Sequence, residues 1–119
     1  MSIMIFEKMT ARDGGMVARL TQLDAPIRDS GDFLDVLATG ASETLVLQDV
    51  HLAPAFFDLK SGVLGEVLQK VSNYRARLVI LGDFSDIEST ALRQFIGESN
   101  RGGRVVFADD LENGLAALR

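Results

Sequence analysis

Cysteine and tryptophan are both absent from this chain of 119 residues. Without cysteine there is no disulfide, no thiolate nucleophile and no cysteine-based zinc site. That suits a reducing cytoplasm, where the chain is expected to reside. A single tyrosine leaves little with which to stack bases. One histidine, His51, is the only imidazole available for acid–base chemistry. No apolar run approaches the roughly 20 residues that cross a bilayer, so no membrane partner is expected. The opening MSIMIFEKM lacks the basic region of a signal peptide and reads as a strand. Basic side chains are in deficit, with 12 Lys and Arg against 17 Asp and Glu and a formal charge of −5. Such a chain repels nucleic-acid phosphates unless its cations cluster. The pairs Arg75/Arg77 and Arg101/Arg104 carry no interleaved aromatics, so nucleic acid is not an expected partner. The P-loop, the G-x-G-x-x-G fingerprint and the G-x-S-x-G elbow are also missing.

What is present is a regular alternation of strand and helix patterns over one domain, residues 1–119. Two short apolar stretches, Ile3–Phe6 and Val17–Leu20, flank TARDGG, where Asp13-Gly14 supplies the positive φ of a hairpin turn. In DAPIRDSGDFLDVLATG, Phe33, Leu34, Leu37 and Ala38 form a helical stripe, with Ser30 as N-cap and Gly40 as stop. The runs TLVLQDV (44–50), RLVILG (77–82) and RVVFA (104–108) are apolar on both alternations, as strands of a parallel sheet are. One helix between them carries Val63, Leu64, Val67, Leu68 and Val71, and another carries Ile87, Ala91, Leu92, Phe95 and Ile96. A final short helix carries Leu111, Leu115 and Leu118, and Pro54 opens a short helical turn in QDVHLAPAFFD. The order β-β-α-β-α-β-α-β-α predicts an α/β domain with a mixed sheet of four or five strands and helices packed on it.

The most informative stretch is FFDLKSGVLGEVLQKVSNY, residues 56–74, where an irregular segment passes through Asp58, Lys60, Ser61 and Gly62 into an amphipathic helix. A helix start beside strand ends is where α/β proteins present free N–H groups and polar side chains. Two readings of Ser61 stand side by side. It can simply cap the helix, or its hydroxyl can be phosphorylated, adding about −1.5 to −2 charge at the docking surface. Gly62 and Gly65 allow close packing of helix on sheet, or close approach of a partner or an anion.

This element order, with Ser-Gly opening the helix after the third strand, resembles the STAS domain (sulfate transporter and anti-sigma-factor antagonist). That family's D-S-S-G-L-G type motif has its counterpart in FFDLKSGVLG, with Leu59 and Lys60 making the spacing one residue longer. The resemblance implies a STAS-like fold and docking controlled by phosphorylation of Ser61. The stretches FFDLKSGVLGEVLQKVSNY, LVILGDFSD and ALRQFIGESNRG are also similar to a bacterial family known as domain of unknown function 4180. That resemblance implies a fold and no activity.

Other constellations carry both a chemical and a structural reading. Asp49, Asp83 and Asp109 each follow a strand run, with Asp86 and Asp110 nearby, so their carboxylates could converge on a Mg²⁺ ion. Acids in such places also cap helices, and Ser85 or Asp86 suits the helix from Ile87. Asp49 and His51 alternate along an extended segment and could form a general-base pair, with Ser61 the nearest nucleophile. Asn73 suits the end of its helix, and Tyr74 is expected to pack its ring. Asn100 and Gly102 suit a helix stop. Arg101 can clamp an anion bidentately or pair with Glu98 on the surface.

The reading that follows is a non-enzymatic, cytoplasmic regulatory or protein-interaction module. Its binding residues are Asp58, Lys60, Ser61, Gly62, Gly65 and Arg101, with no catalytic residue, metal or cofactor assigned. A small-ligand or anion-binding domain, and a hydrolytic or metal-dependent enzyme using the strand-end acids and His51, are the alternatives. A protein partner is expected, and a homodimer through a first or second strand at the sheet edge with exposed Met and Ile.

Overall fold

The computed structural model describes residues 3–119. Of the strand-like opening, Met1 and Ser2 lie outside the described residues. A hairpin of β1 (Met4–Thr10) and β2 (Met16–Leu23) comes first. Its turn is tight, because Gly14 takes φ +88° and Ala11 exchanges hydrogen bonds with Gly14 and Gly15. Then follow α1 (Ser30–Gly40), β3 (Thr44–Gln48), α2 (Val63–Asn73) and β4 (Arg77–Leu81). The chain ends with α3 (Thr90–Gly102), β5 (Val105–Ala108) and α4 (Leu111–Ala116). Three 3-10 turns, Asp49–His51, Pro54–Phe57 and Leu59–Ser61, link β3 to α2. The order matches the sequence reading, and the sheet has five strands.

The strands lie in the spatial order β1-β2-β3-β4-β5. β1 is antiparallel to β2, and β2 to β5 run parallel. Each parallel connection steps the same way across the sheet, so crossovers of one hand place every connecting helix on one face. The main core shows this. Phe33 and Val36 of α1, Leu64, Val67 and Val71 of α2, and Leu92 of α3 are buried against one face of the sheet. That face presents Ala18, Leu20, Leu45, Leu47, Leu78, Ile80, Val105 and Phe107. The alternate residues Val17, Val46, Val79 and Leu81 face the other way and are covered by Leu111, Leu115 and Leu118. α4 comes so close to β4 that a Cβ on Gly114 would stand 2.6 Å from Val79 Cγ1. Only glycine fits there.

Several local expectations shift. In α1 the inward stripe is Phe33, Val36 and Gly40, with Leu37 packed against it, rather than Leu34 and Ala38. Asp29, not Ser30, is the N-cap and accepts the Asp32 N–H at 2.8 Å. Gly40 is not the stop. It is buried under Phe6 and Ala18, and Ala41 ends the helix at φ +50°. α3 begins at Thr90, later than the Ile87 stripe suggested, because Ser89 Oγ accepts the Leu92 N–H at 3.1 Å. Tyr74 does not pack its ring; it is 64% exposed at the end of α2.

Asn100 is the most consequential correction. It lies inside α3, which Gly103 terminates at φ +74°. Its amide instead grips β5 sideways, accepting the Phe107 N–H at 2.8 Å and donating to the Phe107 carbonyl at 3.1 Å. Ser99 Oγ donates to the Val105 carbonyl at 2.5 Å. β5 is an edge strand. Arg104 and Ala108 turn their carbonyls toward β4, so by alternation Val105 and Phe107 turn theirs outward. Those outward groups are the ones Ser99 and Asn100 occupy, so α3 closes this edge against further pairing. Replacing Asn100 by Ala leaves the half-buried Phe107 groups without partners and is expected to cost about 1–3 kcal/mol. A lowered urea midpoint, with faster aggregation on heating, is the result to look for.

Candidate functional site

The segment before α2 is held by its own side chains. Asp58 Oδ1 accepts the Lys60 N–H at 3.1 Å and caps the turn Leu59–Ser61. Gly62 then takes φ +77°, which reverses the chain and makes Gly62 the N-cap of α2. Ser61 was expected in that role and stands one residue earlier. It still serves the helix, because its Oγ accepts the Val63 N–H at 3.2 Å. The same hydroxyl donates to the Ala55 carbonyl at 2.6 Å and so clamps the preceding turn. Asp58, Lys60, Ser61, Gly62 and Gly65 are all exposed.

Gly62 and Gly65 do not serve close helix–sheet packing. A Cβ at either position would meet nothing within 4 Å. The start of α2 is therefore open around both glycines. Beside it lies the start of α1, where Ser30 Oγ donates to Glu66 Oε2 at 3.3 Å. Sequence spacing could not have found this pair, because the crossover brings the two helix starts together. Asp29 caps α1 and Glu66 sits in the first turn of α2, so both helix N-termini already face carboxylates.

His51 does not lie on an extended segment with Asp49. Both belong to the 3-10 turn Asp49–His51, and the imidazole is only 9% exposed. Its Nδ1 accepts the Gln48 N–H at 3.1 Å, which commits that nitrogen to structure. The His51 carbonyl accepts the Ile27 N–H at 2.8 Å, and the Ile27 carbonyl accepts the Ala53 N–H at 2.9 Å. His51 is thus a stitch between two connections at the end of β3. Asp49 instead lies over Gly82, where a Cβ would meet its carboxylate at 2.7 Å.

The strand-end acids disperse into local roles. Asp83 accepts the Ser85 hydroxyl at 2.6 Å and the Ser85 N–H at 3.0 Å, and these two bonds hold its pKa below the usual value. Asp110 caps α4 through the Asn113 N–H at 2.7 Å. Among the described residues no three His, Asp or Glu side chains gather as a cation site.

Arg101 stands in the last turn of α3, whereas Ser61 and Gly62 begin α2. Both helices run from the carboxyl ends of the parallel strands back to their amino ends, so the two groups sit at opposite edges of the sheet. The structure thus brings Asp58, Lys60, Ser61, Gly62 and Gly65 together and leaves Arg101 apart. Two concavities lie elsewhere. One of about 530 Å³ is lined by Met16, Leu37, Tyr74 and Arg75. Another of about 310 Å³ lies beside Arg77, whose guanidinium donates to Thr44 Oγ1 at 3.0 Å and pairs with Asp13 at 3.1 Å.

A mixed, largely parallel sheet with an open helix start at its carboxyl edge defines an α/β protein. A family model described as a domain of unknown function (DUF4180) matches residues 12–118, and the chain belongs to that family. No curated protein and no solved structure matches it.

Three outcomes follow from this geometry. Burial holds the His51 pKa below its ordinary 6.5, with the Asp49 charge opposing more weakly. The unfolded chain then binds this proton more readily than the folded one, so stability is full above about pH 6.5 and falls as pH drops through the folded pKa. Thermal melts between pH 7.5 and 5 should show this loss, and His51→Asn, which keeps an acceptor near Gln48 but cannot titrate, should flatten it. Gly65→Ala, placed in open space on a helix, is expected to raise stability by about 0.5–1 kcal/mol in urea denaturation. Gly62→Ala, forced to positive φ, is expected to lower it by roughly 1 kcal/mol.

Proposed function

We propose that this chain is a small cytoplasmic regulatory module that docks a protein partner through the start of α2, with a STAS-like fold and no catalytic activity of its own. What supports the reading is the surface hydroxyl of Ser61 on an open helix start. Around it Asp58, Lys60, Gly62 and Gly65 are exposed, and nothing stands over the two glycines. An open surface of this kind suits a macromolecular face better than a small ligand, which needs concavity. The carboxylates already at both helix starts argue in the same direction, since they oppose a free anion there.

The element order and the Ser-Gly step after the third strand support the STAS-like assignment. In this reading, phosphorylation of Ser61 is the switch. The ester has no proton to donate to the Ala55 carbonyl, so the hydroxyl clamp is lost, and about −1.5 to −2 charge arrives between Asp58 and Glu66. Binding in the uncharged state gives way to release.

The test compares wild type, Ser61→Ala and Ser61→Asp as bait in host lysate, read by mass spectrometry. Ala removes the clamp without adding charge, so the comparison isolates the charge. A protein retained by wild type and Ser61→Ala and lost with Ser61→Asp is the expected result. Equal retention by all three variants sinks the switch.

A further inference from the structure

The two edges of the sheet are treated differently. β5 is closed by Ser99 and Asn100. β1, seven residues long, has no such cover among the described residues. Its alternation is set by its bonds to β2. Ile3 accepts the Asp24 N–H, Ile5 accepts from Thr21 Oγ1, and Ala11 donates to Gly15. These odd-numbered residues face β2, so the backbone N–H and C=O groups of Met4, Phe6, Lys8 and Thr10 face outward. Edge lysines commonly guard such a strand. Here the Lys8 ammonium is folded away, donating to the Gly40 carbonyl and to Ser42 Oγ. Ile3 and Ile5, exposed at 51% and 47%, lie on one face of the same edge.

We infer that β1 pairs antiparallel with β1 of a second copy about a two-fold axis at Ile5, joining two sheets into one. The sequence of the strand narrows the register, and centring on Ile5 pairs more of the described strand than centring on Met4, which brings only residues 3–5 opposite one another. Only registers that oppose even-numbered residues let the outward groups bond each other. Centring the axis on Glu7 or Lys8 sets like charges against each other, which disfavours pairing. Centring it on Phe6 sets Ile5 against Glu7 and places no isoleucine directly opposite another. Centring it on Ile5 sets Ile5 against its own copy and lets Met4 and Phe6 of opposite copies exchange backbone hydrogen bonds. Ile5 then gains an apolar partner directly opposite, while Ile3 stands opposite the partner's Glu7 and diagonal to its Ile5. The contact is isologous, as a two-fold requires. It involves a different surface from the start of α2 and stands independently of the docking reading.

The absence of cysteine makes the register directly measurable. In this arrangement Ile5 forms a non-hydrogen-bonded pair with itself, with Cα atoms about 4.5 Å apart, within reach of a disulfide. Glu7 lies four positions from its copy, roughly 13 Å away. Full-length Ile5→Cys and Glu7→Cys variants are oxidised with diamide and run on non-reducing gels. Ile5→Cys is expected to give mainly disulfide-linked dimer, and Glu7→Cys several-fold less. Sedimentation equilibrium of wild type is expected to give twice the mass of one chain. Ile5→Lys is expected to give the mass of one chain with an unchanged circular dichroism spectrum. Wild type that stays monomeric at near-millimolar concentration, or Glu7→Cys crosslinking as readily as Ile5→Cys, overturns the inference.

Discussion

Every parallel connection in this sheet steps in the same direction, and that constraint governs the rest. A step in one direction with one hand of crossover leaves no choice of face for α1, α2 and α3. The main core forms where they stack, on Leu45, Leu47, Leu78 and Ile80. The opposite face receives only α4, six residues long, and the close approach at Gly114 makes so short a helix sufficient to cover Val79. Had one connection reversed its direction, the helices would divide between the faces and a crevice would open at the reversal, as in doubly wound folds. Sequential order builds no such crevice, which is why the carboxyl edge offers a surface.

The same constraint sorts the charges. α1 to α4 all run against the parallel strands, so their positive ends gather at the carboxyl edge of the sheet. Asp29, Glu66 and Asp110 stand at those ends. Lys70 in the last turn of α2 and Arg101 in the last turn of α3 stand at the negative ends. Each such placement is worth about 0.3–1 kcal/mol near a helix terminus. Ser61 therefore lies in a neighbourhood whose acids are already matched to helix dipoles. Additional negative charge there meets carboxylates as well as the α2 terminus.

The architecture was legible because apolar alternation is a local signal. TLVLQ, RLVIL and VVFA can be buried on both faces only in a covered, largely parallel sheet. The glycine in the hairpin turn and the proline opening the turn at Pro54 were readable for the same reason, since each fixes backbone geometry by itself. Helix boundaries were less legible, because capping is decided by whichever nearby side chain reaches an N–H. Asp29 outcompeted Ser30, and Ser89 outcompeted Ser85 and Asp86. At the candidate site the cluster from Asp58 to Gly65 was readable because it is contiguous. Arg101 was not, because its distance from Ser61 depends on the direction of two helices. His51 and Asn100 misled for a shared reason. Their residue types suggest chemistry and helix termination, but each is used to satisfy backbone groups of another element. Residue type alone does not announce which nearby backbone group a side chain will satisfy.

The closure of β5 by Ser99 and Asn100 has a consequence for assembly. A sheet with two free edges has a valence of two, and repeated edge-to-edge pairing then has no natural end. Two side chains on α3 reduce the valence of this sheet to at most one. When a second copy joins β1, both remaining outer edges are closed β5 edges, so growth through the sheet stops and the product is a finite complex rather than a fibre.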